Sequence, residues 1–190
     1  MTSVLWNTNL ERSFFNIFDS IIIRPMQCIE IGCFEGYGTH KIHELFCSHA
    51  ESRITCIDPW DDVYVKDKLE FADIDPIFAN QYSTFVNNTH SIIDKLDVRR
   101  GYSNDVLIQL DNNTYDFAYV DGDHSADQVC QDGRLLFPLM KQHGIILFDD
   151  YNWSHGTEIT QVGIERFIFE FQNKIDVLFR GPIQCAIRIK

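Results

Sequence analysis

Between Leu10 and Ile23, apolar side chains recur at helical spacing, at Leu10, Phe14, Ile17, Phe18, Ile21 and Ile22. That period predicts an amphipathic helix lying on a sheet face and ending before Pro25, since proline opposes helix both at its own position and at the residue before it. Beyond it the pattern changes. Short apolar runs at Gln27–Ile31, Arg53–Ile57, Asp97–Arg100, Tyr115–Val120 and Gly144–Phe148 read as strands, separated by segments long enough for helices. This alternation predicts an α/β fold with a doubly wound, mostly parallel sheet and helices on both faces. Two last runs, Ile175–Phe179 and Cys185–Ile189, are joined by so short a connection, Arg180 to Ile183, that an antiparallel hairpin is expected. The sheet should therefore close with a reversed strand. The polar, acidic and aromatic stretch Pro59–Pro76 has little periodicity and is expected to form a lid or acceptor loop with a short helix in it.

Composition narrows what these elements can do. A chain of 190 residues with 45% hydrophobic content suits one domain, 1–190, with 1–25 as its helical N-terminal cover. The formal net charge of -12 disfavours nucleic acid and anionic membrane surfaces as partners, because both call for a basic face. A small-molecule or glycan acceptor fits better. Cys28, Cys33, Cys47, Cys56, Cys130 and Cys185 contain no C-x-x-C pair and sit mostly in apolar runs, as reduced core thiols of a cytoplasmic protein would. The apolar runs near the start are too short and too interrupted for a bilayer span or a secretory signal. His40, His43, His49, His90 and His143 have no ligand spacing and are expected at the surface.

Candidate chemistry begins where the first strand ends. Cys28 to Thr39 runs from an apolar strand into a turn containing Gly32, Gly36 and Gly38 and then into a helix, the place where such a sheet approaches a nucleotide. The spacing is not that of a dinucleotide fingerprint or a phosphate loop, so pyrophosphate binding is disfavoured and a nicotinamide oxidoreductase with it. Asp58 closes the next strand and is placed to accept hydrogen bonds from ribose hydroxyls. The alternative is a tight strand–helix turn with Asp58 as a local cap.

The runs EIGCFEGYGT, CIDPW and YDFAYVDGDHSADQVCQDGRLLFPLMKQHGIILFDDYNW resemble class I S-adenosylmethionine-dependent methyltransferases, in the branch of sugar and antibiotic O-methyltransferases and cephalosporin-hydroxylase-like proteins. The resemblance spans Cys28 to Trp153 and implies a Rossmann-like, seven-stranded sheet whose last strand is antiparallel. It implies that Glu30, Gly32, Phe34 and Glu35 line the methionine and ribose side of S-adenosylmethionine. Asp58 would hold the ribose, Trp60 would stack near the adenosyl group, and Gly101, Tyr102 and Ser103 would sit by the adenine. Asp121, Gly122 and His124 would also contact the cofactor. One departure is Lys141-Gln142-His143-Gly144, with a single glycine where the family commonly has two.

Asp121 ends one strand while Asp149 and Asp150 end its neighbour, and adjacent parallel strands deliver their carboxyl ends to one crevice. Converging carboxylates need a cation, a shared proton or strong donors. A divalent metal such as magnesium, bound by Asp121, Asp149 and Asp150, fits that chemistry; the alternative is that these aspartates bond backbone amides. Methyl transfer to a hydroxyl also needs a base, for which Asp123 stands first and His124 second. Asp123 could instead cap the helix that begins near Ser125, and His124 could contact the cofactor. Tyr151, Trp153 and His155 could line an acceptor pocket. The resulting expectation is a metal-dependent O-methyltransferase acting on a saccharide or saccharide-bearing small molecule. A phenolic or catechol-like acceptor, and a non-catalytic nucleotide-binding protein of the same fold, are the alternatives. A homodimer that completes the acceptor site is left open.

Overall fold

A computed structural model of the chain describes residues 24–60 and 80–190. The helix expected over Leu10–Ile23 and the lid segment after Trp60 lie outside the described residues. Among the described residues the chain runs β1 (Gln27–Ile31), α1 (Tyr37–Phe46), β2 (Arg53–Asp58), α2 (Gln81–Thr89), β3 (Leu96–Arg100), α3 (Ser103–Leu107), β4 (Tyr115–Val120) and α4 (Ala126–Leu136). Then come β5 (Met140–Phe148), a small hairpin of β6 (Ser154–His155) and β7 (Glu158–Ile159), α5 (Thr160–Phe171), β8 (Ile175–Arg180) and β9 (Cys185–Ile189). No helix among the described residues is long and apolar enough to cross a membrane.

Seven strands form one sheet in the order β3-β2-β1-β4-β5-β9-β8. β1 to β5 are mutually parallel, and β9 runs antiparallel to both β5 and β8. The reversed strand is thus last in sequence but internal in space, and β8 takes the edge. Every residue of β4 is buried, as a central strand covered on both faces requires. Side chains alternate between two cores: Ile29, Ala118, Ile146 and Ile187 join α3, α4 and α5 on one face, while Cys28, Phe117, Leu147 and Ala186 join α1 and α2 on the other.

Helices α4 and α5 pack so closely that Gly163 has no room for a side chain. A Cβ there would lie 2.1 Å from the Ala126 carbonyl oxygen and 2.4 Å from Val129 Cγ1. β5 begins at Met140 rather than at Gly144, because its early residues pair with Tyr115 before the register shifts between Tyr115 and Phe117. At the shift His143 takes φ 65, the left-handed conformation that a second glycine would adopt without strain. His90 and His143 are exposed, whereas His40, His43 and His49, expected at the surface, are half-buried. His40 Nε2 pairs with the Asn88 carbonyl at 2.8 Å. All six cysteines are buried and unbridged.

Candidate active site

The carboxyl ends of β1, β2, β4 and β5 meet at one crevice, and the backbone there is held close. Gly32 has φ 85, its N–H donates to Ile57 O at 2.9 Å, and a Cβ on it would lie 2.0 Å from Asp121 O. The Asp121 N–H donates in turn to Ile31 O at 2.8 Å, so the turn after β1 and the loop after β4 are clamped together. Only glycine permits this approach.

Asp58 ties the next turn to the first. Its Oδ2 accepts from the Phe34 N–H at 2.9 Å and its Oδ1 from the Trp60 N–H at 2.6 Å, while Trp60 Nε1 donates to Phe34 O at 2.8 Å. Phe34 and Trp60 both have positive φ, 46 and 44, a strain that this interlock sustains. Burial pushes the Asp58 carboxyl up and the amide bonds oppose it. Each carboxylate oxygen keeps a second lone pair, so ribose hydroxyls can still donate to Asp58. The Trp60 ring is buried against Tyr82 and Phe85, with centroids 5.1 and 4.7 Å away, and serves as the floor of the turn.

Glu30 lies beneath the glycine turn, 1% exposed, and accepts from Thr39 Oγ1. Burial pushes its carboxyl up to about 7. The Glu35 carbonyl accepts from Asn88 Nδ2 at 2.8 Å, which anchors the turn to α2. Gly101 donates its N–H to Asp58 O at 3.0 Å, so 101–103 lie directly beside the end of β2. Tyr102 is exposed and Ser103 half-buried.

At the other side of the crevice, Asp121, His124 and Asp150 each offer a ligand atom, all within 4.8 Å of one another. His124 Nε2 lies 3.3 Å from Asp150 Oδ2. Asp149 lies beside this group: its Oδ1 accepts from the Asp150 N–H at 2.9 Å, and its Oδ2 accepts from the Tyr119 hydroxyl. The same hydroxyl lies 3.3 Å from Asp121 Oδ2, so Tyr119 bridges the two aspartates. Burial and then the charges of Asp149 and Asp150 push the Asp121 carboxyl well above the usual range. Burial also raises Asp150, with His124 opposing and Asp149 adding to the rise. Asp121 and Asp150 supply hard carboxylate oxygens, with the borderline imidazole nitrogen of His124 beside them, and a divalent cation would relieve their crowded negative charge. His124 thus joins Asp121 and Asp150, and Asp149, a ligand in the sequence reading, is linked to Asp121 through the Tyr119 hydroxyl.

Asp123 Oδ1 accepts the Ser125 N–H at 2.8 Å, an arrangement that leads into α4. Gly122 is half-buried beside Ile31. Tyr151 turns inward, 4% exposed, and donates to Glu165 Oε1 at 2.6 Å. Trp153 stays at the site, its ring 5.0 Å from that of His124. His155 lies in β6 of the small hairpin. The residue most clearly missed in the sequence is Tyr119. Its signal was present: it stands two positions before Asp121 on a strand, hence on the same face.

Comparisons with known proteins place this geometry in a family. A family model described as a methyltransferase domain matches residues 29–151. A sequence comparison with curated proteins finds no match. Among solved structures, the chain resembles an O-methyltransferase from Bacillus cereus in complex with S-adenosylhomocysteine, at 16% identity and TM-score 0.68, over 97% of this chain and 83% of that one. It also resembles the S-adenosylhomocysteine-bound Podospora anserina methyltransferase PaMTH1, at 18% identity and TM-score 0.60, over 87% and 72%. The Streptomyces achromogenes O-methyltransferase TomG, in complex with S-adenosylmethionine, aligns at 15% identity and TM-score 0.62, over 87% and 73%. The chain belongs to the methyltransferase-domain family and has the Rossmann-like fold of the class I S-adenosylmethionine-dependent methyltransferases.

Proposed function

We propose that this protein transfers a methyl group from S-adenosylmethionine to a hydroxyl of a saccharide or saccharide-bearing small molecule, with a divalent cation, magnesium by its chemistry, beside the acceptor. The observation that carries the reading is the convergence of Asp121, His124 and Asp150 next to the clamped glycine turn. Asp58 would hold the ribose and the turn at Gly32 would admit the methionine portion, which brings the sulfonium toward Asp121. Asp121 and Asp150 would hold the cation, which when bound lowers the pKa of a coordinated hydroxyl. The acceptor oxygen forms its bond to the methyl carbon as the carbon–sulfur bond breaks, leaving S-adenosylhomocysteine, and the hydroxyl proton passes to the His124 imidazole. Asp150 orients that imidazole. Asp123, the first candidate for the base by sequence, is engaged with the Ser125 amide. The Trp153 ring offers an apolar face of the kind a pyranose ring packs against.

Calorimetric titration of S-adenosylhomocysteine, with magnesium and then with chelator, tests the reading on wild type, Asp58→Ala and Asp121→Asn/Asp150→Asn. Cofactor binding should collapse in Asp58→Ala and survive in the double variant, which alone should lose magnesium binding. Transfer of a labelled methyl group to a panel of glycosides and catechols then decides the acceptor class. Failure of wild type to bind S-adenosylhomocysteine would remove the reading, and labelling of catechols alone would replace the saccharide.

A further inference from the structure

Beneath the glycine turn, three side chains that the methyl transfer proposed above does not use converge in the core. Glu30, Cys33 and Cys56 are 1%, 2% and 0% exposed, and each offers an oxygen or sulfur atom, all within 4.8 Å of one another. The topology brings them together. Glu30 on β1 is the register partner of Cys56 on β2, so in this parallel pair their side chains leave the same face of the sheet. Cys33 comes two residues after β1, where the turn folds back until its Sγ lies 3.7 Å from Ile57 O and 3.8 Å from Glu30 O. Thr39 of α1 closes the group, its hydroxyl donating to Glu30 Oε2.

As a hydrogen-bonded group this set is poor, because a thiol is a weak donor and a weak acceptor and a buried carboxyl is costly. As a ligand set it is well matched. Two sulfurs with one carboxylate oxygen favour a borderline-soft cation over magnesium, and thiolate and carboxylate are both ordinary ligands of zinc. Charge balances as well. Zinc brings two positive charges and forms a bond to each sulfur as that thiol's proton leaves for solvent, so the net charge of the buried group is unchanged and nothing is oxidised or reduced.

We propose that Glu30, Cys33 and Cys56 form a zinc site, in which two thiolates and one carboxylate hold the ion and pin the glycine turn to β2. The site is separate from the group of Asp121, His124 and Asp150, which contains no sulfur. It stands whether or not the methyl-transfer reading holds. Cys33 belongs to the turn that borders the crevice, and an ion would reach the cluster from that side.

The test titrates cobalt(II), a spectroscopic substitute for zinc, into the full chain, reduced with a phosphine and held in excess magnesium to fill any site of hard oxygens. Wild type should develop near-ultraviolet thiolate-to-cobalt absorption, and added zinc should erase it. Cys33→Ala and Cys56→Ala should each lose the absorption and bind zinc at least about a hundredfold more weakly, beyond what the loss of an outer-sphere partner causes. Cys28→Ala, which removes a buried thiol outside the cluster, should keep the absorption. Should the cluster variants fail to fold, X-ray absorption of zinc-loaded wild type decides alone: it should show two sulfur ligands at about 2.3 Å beside oxygen at about 2.0–2.2 Å. A shell of oxygen and nitrogen only would place the zinc with Asp121 and overturn the proposal. Wild type without thiolate-to-cobalt absorption, or its persistence in Cys33→Ala or Cys56→Ala, would overturn it equally.

Discussion

Glu30 should make this protein less stable as pH rises through the weakly acidic range. Burial pushes its carboxyl from 4.5 up to about 7, against the opposing bonds from Thr39 and Cys33. Below both values the acid is neutral in the folded and unfolded chains and costs nothing. Between them the unfolded chain releases the proton while the folded chain retains it, so stability falls with rising pH. Above the folded value the loss is complete and the curve flattens. A rise of this size corresponds to roughly 3 kcal/mol. Glu30→Gln keeps an oxygen that can accept from Thr39 but has no proton to lose. Urea unfolding at steps from about pH 4.5 to pH 8, without cofactor, should show wild type losing about 3 kcal/mol more than the variant over that interval. Asp132, also raised by burial to about 6, adds a slope of the same sign to both proteins and cancels in the difference. Parallel profiles for the two proteins would refute the reasoning, because they would mean that Glu30 ionises alike in the folded and unfolded chains.

Three further outcomes follow from particular contacts. Gly163→Ala should destabilise the fold by about 3 kcal/mol or more in urea unfolding, since the Ala126 carbonyl on the neighbouring helix leaves no space for a methyl group. His143→Gly should raise stability by about 0.5–1 kcal/mol, by relieving a left-handed residue that is exposed; an unchanged or lowered melting temperature would show that the strain is not felt. Asp116 behaves oppositely to Glu30: burial pushes its carboxyl up, but the Gln27 amide, Lys141 and Arg24 together hold it below the ordinary range. Wild type should therefore keep this contribution above the ordinary aspartate range and lose it as pH falls through the depressed value. Asp116→Asn should cost about 1–3 kcal/mol at neutral pH and lack that acid-induced loss.

Much of the fold was readable from local pattern. The runs Gln27–Ile31, Tyr115–Val120 and Cys185–Ile189 form strands with the bounds their hydrophobicity suggested. A strand covered on both faces is mostly apolar along its length, and that property is local. The glycine turn was equally visible, because a chain that must come close to its neighbour and take positive φ calls for glycine. The hairpin of β6 and β7, two residues in each arm, was too short to leave a periodic signal.

What tertiary structure decided was direction and pairing. The order of residues placed Asp121, Asp149 and Asp150 at neighbouring strand ends, but which of them face one another depends on the conformation of each turn. Asp150, at φ 49, turns toward His124, while Asp149 is drawn to the Tyr119 hydroxyl. Trp60 packs against Phe85 and Tyr151 turns toward Glu165, contacts that no local pattern announces. The Ser103–Asp132 bond joins residues 29 positions apart on two helices, and no local period reports such a meeting. Side-chain period and backbone permissiveness are properties of a few consecutive residues, so the sequence by itself determined the strands and the tight turn. The pairing of Asp150 with His124 and the raised carboxyl pKa of Glu30 depend on how the chain folds around them, and only the folded chain sets them.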